Sequence, residues 1–421
     1  MGTDVFIGIS AQQLNDLAVT VYRKLHPRLF SGNGTVQVGS SPVALHWDVA
    51  QAPVFQLDGA LNVHEAKEAL LARTGATASP EHAQVVDNLL GGLQTFSILL
   101  PEILITFPAL PDEPLLVLTA RIQANAAFWD HRIVFGVVSV SVSTFGTPLQ
   151  QAVAKDVMQP AVQQIANELL SGLSIPMPTV PGATLSPFNV GIVQGSLVAV
   201  ATTNGPMPEL PTGGFSGLGA PFVVALTKQA LQVAANPVIG ANSPAISGGD
   251  SSGVAGFSVH YNYSVQASNP QLDFVQGSTV PILFDLTGSA GAGAEVSFVP
   301  IGIGVNLSTD RPIELYLRVV AAGSTVSLVY DSLSSFNIQV SLSGPIDSLL
   351  GWMYDWLLSA IGNSLKPQLL NYLQGVNFGS LTLPNGTRNI GNMPVTLTPT
   401  LNQPLVNAVG VLAITGKIQL S

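Results

Sequence analysis

The chain of 421 residues has no cysteine, which excludes disulfides, thiolate catalysis and Cys-zinc sites. It is also short of charge. Charged residues make up 9% of the chain, where about a quarter is usual for a soluble protein. Lys and Arg number 14 against 24 Asp and Glu, for a net charge of −10. No stretch gathers the basic residues that a phosphate backbone or an anionic bilayer would require, so nucleic acid is not expected as a partner. Long hydrophobic runs are missing too. No window holds the 18 or more uninterrupted apolar residues of a spanning helix, so stable membrane insertion is not expected. The start, MGTDVFIGIS, lacks the basic and apolar regions of a signal peptide. With the absence of cysteine, this leads to the expectation of a cytoplasmic protein, or one released without a signal peptide.

What is present is apolar. Hydrophobic residues reach 47% and mean hydropathy is +0.43, spread over many short runs. That pattern implies a large internal apolar surface.

Residues 6–18, FIGISAQQLNDLA, and 222–235, FVVALTKQALQVAA, open in the same way, 217 positions apart. Each has a strand-like run, then a hydroxyl residue, then a helical pattern. Ser10 with Gln13 reads as a capping box, and Thr227 as the second cap. Leu14, Leu17, Ala18, Val21 and Leu25 follow at helical spacing. Strands are expected over 35–39, 43–49, 54–63, 116–125, 132–145 and 187–202, with helices over 64–73 and 79–94. A long helix from Pro148 to about Leu170 carries the stripe Met158, Val162, Ile165 and Leu169, with Pro160 predicted to kink it. Residues 205–221 hold four prolines and five glycines and read as a linker.

Strands are then expected over 257–267, 280–286, 295–307, 313–330 and 336–342. A second long helix, from Pro345 to about Leu373, carries Ile346, Leu350, Met353, Leu357, Ile361, Leu365, Leu369 and Leu373. Their mean spacing slightly exceeds 3.6, so the stripe drifts around the helix and calls for a cover that wraps it, such as a curved sheet. Closing strands fit 394–399 and 408–420. Two copies of one plan are therefore expected, at 1–204 and 222–421. Chance sharing of a capping pattern by two unrelated α+β domains is the alternative.

In this arrangement the chain resembles the tubular lipid-binding superfamily, whose best-known members resemble bactericidal/permeability-increasing protein. The resemblance is carried by ISAQQLNDLA (9–18), LTKQALQVAA (226–235) and the two long helices. It also resembles bacterial members found near toxin genes, which pair an HWDV-type strand with such modules. The resemblance implies an α+β fold of two tandem modules, each a long helix wrapped by a highly curved antiparallel sheet, in an elongated pseudo-twofold rod. It implies tunnels between helix and sheet, with a lipid or fatty-acyl ligand. Leu14, Leu17, Val21, Met158, Val162, Ile165, Leu169, Leu350, Met353, Leu357, Ile361 and Leu365 would line those tunnels, with Val140, Val142, Ile301 and Ile303 opposite. Ordinary packed core is the other reading of the same stripes. Trp352 and Trp356 would gate a tunnel mouth, anchor a partner or fill space. The missing disulfide and the acidic charge depart from secreted, endotoxin-binding members. Two roles remain, a carrier of neutral or zwitterionic lipid or an accessory protein with a protein partner.

Chemistry is sparse. GDSSG (249–253) matches G-x-S-x-G, but a Gly/Ser loop is expected there, without the strand-to-helix elbow that a nucleophile needs. The six histidines form no H-E-x-x-H motif. No P-loop or dinucleotide fingerprint is present, and no cofactor, metal or enzymatic activity is expected.

Overall fold

The computed structural model describes residues 3–38, 40–57, 95–110, 112–143, 147–178, 184–211, 219–233, 245–254, 257–273, 279–296, 299–342, 351–375, 380–390, 392–402, 404–406 and 411–421. The expected helices at 64–73 and 79–94 lie outside these residues, as do Ile346 and Leu350.

The first half runs β1 (Val5–Ser10), α1 (Ala11–Leu25), β2 (Ser31–Val38), β3 (Ser41–Val49), β4 (Val54–Gln56), β5 (Thr95–Thr106), β6 (Leu116–Trp129) and β7 (Arg132–Val142). It continues through α2 (Pro148–Ala152), a π-helical stretch (Val153–Met158), α3 (Gln159–Gly172), β8 (Ile175–Pro176), β9 (Asn189–Val193) and β10 (Ser196–Ala201). The second half runs β11 (Phe222–Thr227), β12 (Ala245–Val254), β13 (Phe257–Leu272), β14 (Thr279–Val296), β15 (Val299–Thr309), β16 (Ile313–Ala322), β17 (Thr325–Leu333) and β18 (Ile338–Leu342). Then come α4 (Gly351–Gly375), β19 (Ser380–Thr382), β20 (Gly386–Ile390), β21 (Met393–Leu401), β22 (Leu405–Val406) and β23 (Val411–Leu420).

The strands form three antiparallel sheets. A central sheet has the order β20-β21-β23-β11-β1-β10-β9 and so draws on both halves. β1 lies beside β11, with Val5 opposite Leu226, Ile7 opposite Val224 and Ile9 opposite Phe222. Ile7 and Val224 are 217 positions apart, the offset between the two openings, so an approximate twofold axis passes through that pair. VFIGIS, SLVAVA and FVVALT are nearly continuous apolar runs because both of their faces are covered. Val5, Ile7, Ile9 and Val224 belong to the main core, while Phe6, Val198, Val200, Val223 and Ala225 form a second cluster.

The other two sheets are strongly curled, one in each half. The register accounts for the curl. In the first sheet, one edge of β5 is shared between β4, at Ser97–Leu99, and β3, at Ile103–Thr106. Between them the β5–β6 pairing slips, from Leu100 to Ile103. In the second sheet, one edge of β14 is shared between β16 and β15, and its pairing with β13 slips between Ser268 and Gln271. Each slip contains a proline, Pro101 or Pro270. Proline has no N–H for a ladder and sits well at a bulge, where the strand bends and twists more. An interior proline also hides a strand from sequence reading. No element was expected over 95–106, yet β5 is the spine of its sheet.

α1 begins at Ser10, whose hydroxyl accepts from the Gln13 N–H at 3.1 Å. The capping box is only half made. The Gln13 side chain turns away and pairs with Ile418 of β23, donating to its carbonyl at 2.9 Å and accepting from its N–H at 3.1 Å. β11 starts at Phe222 and meets β23 only as far as Gly416, so the Gln13 amide supplies the ladder bonds that Ile418 would otherwise lack. Asn15 treats Phe55 of β4 in the same way. In the second half, the Gln232 side chain accepts from the Leu272 N–H at 2.6 Å. Asn15 and Gln232, like Phe55 and Leu272, are 217 apart.

The long helix of the first half is not simply kinked at Pro160. A capping box at Thr147 and Gln150 starts it, and the six π-helical residues 153–158 precede the proline. Widening the turn makes room for a ring that would clash with the preceding carbonyl. In α4, Leu357, Ile361, Leu365, Leu369 and Leu373 are all buried and together anchor the helix, at about 1.5–3 kcal/mol each. The helix lies against β12, β17 and β18.

Two expectations change. The expected strand 295–307 is two strands, β14 ending at Val296 and β15 starting at Val299. The expected strand 313–330 is a hairpin turning at Gly323, whose φ of 59° suits glycine. Residues 205–211, in the expected linker, make contacts with the central sheet and its flank. The Thr202 hydroxyl donates to the Pro206 carbonyl at 2.6 Å, the Asn189 side chain donates to that of Pro208 at 3.0 Å, and Leu210 packs on the second cluster of the central sheet.

Candidate functional site

A narrow, partly open apolar slot lies where the two halves meet. One wall comes from the central sheet: Ile7, Phe222, Ile418, Leu397 and Pro399. The other comes from two short segments, Ile175–Pro178, which begins with β8, and Leu383–Pro384 after β19. It is narrow, with about 20 Å³ that admits the centre of a water molecule. All eleven lining residues are Ile, Leu, Met, Phe or Pro. A void with such walls offers water no partners and stays dry. Prolines 176, 178 and 384 keep these segments from laddering closely onto the sheet, which accounts for the gap. Gly386 allows the approach of β20, because a Cβ there would meet Pro176 Cδ at 3.0 Å.

Polar groups gather beside the slot at Ser174. Its side chain is 4% exposed. Arg132 Nη1 donates to its hydroxyl at 3.5 Å and Arg388 Nε at 3.2 Å. Arg132 is the cross-strand partner of Pro176, and Arg388 is two residues beyond Gly386 on β20. Among the described residues neither guanidinium pairs with a carboxylate. At the same seam Gly172, the last residue of α3, packs against Ile390, whose Cγ1 would lie 1.9 Å from an added Cβ.

The residues picked out from the sequence are placed elsewhere. Leu14, Leu17, Val21, Met158, Val162, Ile165, Leu169, Leu357, Ile361 and Leu365 share one core cluster at 0–2% exposure, and they line neither cavity described here. Val140 is buried and Val142 partly so. Met353, Trp352 and Trp356 lie on α4 and Ile301 and Ile303 on β15, but their side chains are outside the described set, as is Leu350 altogether. The slot residues escaped sequence reading because they come from distant segments. The apolar stretch Ile175-Pro-Met-Pro, following a helix end, was the available local signal.

A second concavity, open to solvent and about 690 Å³, lies over β12, β13 and β14. It is lined by Ser247, Gly248, Gly249, Asn262, Tyr263, Ser264, Ser289, Ala290 and Gly291. The GDSSG segment lies in strand β12, not in a loop. Gly248 sits under the Tyr263 ring and Gly293 under that of His260, with added Cβ atoms at 2.6 and 2.5 Å. This aromatic cover explains a glycine-rich strand. Ser251 is exposed and faces His260 across the β12–β13 pair. No hydrogen bond joins their side chains, and Asp250 is taken by the Ser251 N–H at 2.7 Å. The strand setting is not a nucleophile elbow.

Several other titratable groups hold structure. His26 meets Asp48 at 2.8 Å and His46 meets Asn33 at 3.0 Å. The Tyr22 hydroxyl donates to the Val49 carbonyl at 2.7 Å, and burial, with Asp48 nearby, raises its pKa. Among the described residues no three His, Asp or Glu side chains converge as a metal site would require, and no helix is long and apolar enough to cross a membrane.

No family model matches the chain, and no curated protein matches it. Solved structures do resemble it in the course of the chain. Lipopolysaccharide binding protein is 10% identical, with 100% of this chain and 99% of that one covered, at a TM-score of 0.32. P47 from Clostridium botulinum A2 is 10% identical, with 99% and 97% covered, at 0.45. P47 of Clostridium botulinum E1 is 9% identical, with 99% of each covered, at 0.43. Identities and scores this low leave function to be argued from the geometry of this chain. Its two curled sheets, joined through one central sheet, form a two-module α+β arrangement.

Proposed function

We propose that this protein is a non-enzymatic binder of a long apolar ligand, a lipid acyl chain or its like, seated in the slot at the seam of the two halves. The observation that carries this reading is the wholly apolar lining of that slot. An acyl chain gains about 0.8 kcal/mol for each CH₂ removed from water. The narrow slot has to widen along its proline-bearing wall to admit the chain. In this reading residues 1–204 and 222–421 are two copies of one duplicated module, joined by 205–221. The matched caps at Ser10 and Thr227 support the duplication. So do the matched amide-to-strand bonds of Asn15 and Gln232.

The test is native mass spectrometry of gently purified protein, followed by organic extraction. Stoichiometric lipid recovered from the wild type and lost from Met177→Trp, which fills the slot, is the expected result. A ligand-free mass that stays unchanged when lipid is added overturns the reading.

A second reading, as an accessory protein that binds a protein partner, is favoured by Trp129. This side chain is 73% exposed at the tip of the β6–β7 hairpin, where Asp130 and His131 have φ of 47° and 58°. Exposed tryptophan is enriched in interface anchors, and Trp129→Ser would abolish partner capture without changing the melting temperature.

A further inference from the structure

We infer that the ligand of the slot is an anionic single-chain amphiphile, a long-chain carboxylate, with its head held by Arg132 and Arg388 at Ser174. This rests on the proposed function, since the slot holds the chain. In a protein with 14 Lys and Arg against 24 Asp and Glu, acidic partners for arginine are plentiful. Yet these two arginines, 256 positions apart and from opposite halves, turn to one neutral hydroxyl.

Each guanidinium has five N–H donors in a fixed fork, and one from each is used on Ser174. The other donors have no partner among the described residues. The Ser174 oxygen accepts from both arginines, which leaves its own hydrogen free to donate. Two guanidinium groups, that of Arg388 exposed, and one hydroxyl hydrogen therefore gather around Ser174, and donors of this kind suit a two-oxygen carboxylate. That point adjoins the apolar slot directly, because Ser174 precedes Ile175 in the chain and Arg132 pairs with Pro176. A narrow apolar slot with two arginines near one end of its lining segment suits one chain bearing one anionic head.

A structural role for the arginines predicts something different. Basic side chains also favour a helix C-terminus, and α3 ends at Gly172, two residues before Ser174. A pure capping role would change stability and leave ligand selectivity alone.

The test is calorimetric titration of the full chain with dodecanoate and, separately, with dodecanol, both below their aggregation limits. Wild type, Arg132→Gln, Arg388→Gln and the double variant are compared, with thermal melts alongside. The expected result is a loss of about tenfold or more in dodecanoate affinity for the double variant, with dodecanol affinity unchanged. If both ligands weaken equally, or neither weakens, the carboxylate assignment falls while the slot stands. A lower melting temperature with both affinities intact also overturns it and leaves the arginines as helix caps. If wild type binds neither ligand, the proposed function itself fails.

Discussion

Replacing Gln13 by leucine keeps the volume of a buried side chain and removes both of its bonds to β23. In the native chain Gln13 is 4% exposed and Ile418 is 5% exposed, and the amide satisfies both the N–H and the carbonyl of Ile418, at 3.1 and 2.9 Å. Leucine leaves two backbone groups buried without partners. Each costs about 1–3 kcal/mol, and part is recovered by the apolar side chain, so the expected local loss is about 2–4 kcal/mol. That corresponds to a roughly 30- to 700-fold larger opening constant. Hydrogen exchange followed by mass spectrometry on peptides spanning Val411–Leu420 reads this directly and does not require the whole chain to unfold in one step. Gln12→Ala, on the exposed side of the same helix, is the control, and it changes nothing beyond about 0.5 kcal/mol. Exchange in Gln13→Leu within threefold of wild type would refute the idea that a side-chain amide completes this ladder.

Two further outcomes are expected. Gly172→Ala drives a methyl into Ile390 across the seam, at a cost of about 1–3 kcal/mol. Ile390→Ala in the same chain restores most of it, a coupling that a double-mutant cycle on denaturation midpoints would measure. Asp310 is an exposed clasp, its carboxylate accepting from the Asn337 backbone N–H at 2.9 Å and from its side chain at 3.1 Å. Those bonds, the backbone one foremost, lower its pKa. Its contribution is therefore present above the ordinary Asp value of about 3.9 and is lost as pH falls through the lowered value. Amide exchange near Asn337 should rise on acidification in wild type and be independent of pH in Asp310→Asn, once intrinsic exchange rates are removed.

Much of the frame could be read from local pattern. Ser10 and Thr227 are caps in the structure, as their positions before helical runs require. The Gln194–Gly195 turn falls between two apolar runs at positive φ. What escaped did so for stated reasons. β12, AISGGDSSGV, has a poor strand composition and is held by its neighbours, with Tyr263 and His260 covering glycines. β5 is broken on paper by Pro101, which in three dimensions marks the place where the sheet bends. Gln13 matched a local capping motif, and a contact 405 residues away took its side chain. The slot draws on six separated stretches of chain, and no window of sequence contains it. The helical stripes were visible as apolar faces. A buried stripe and a ligand-bearing one carry the same residues, so pattern alone does not distinguish them.

The pairing of Gln13 with Ile418 also has a bearing on biosynthesis. A ribosome adds about 5–20 residues each second, so the 405 residues between those two positions take about 20–80 s to make. Throughout that interval the N-terminal helix can form, but its buried amide has no strand to meet. This part of the joint between the halves thus closes only after residue 418 has been made. Nascent chains stalled before residue 418 should leave the β11 edge open to proteases and chaperones.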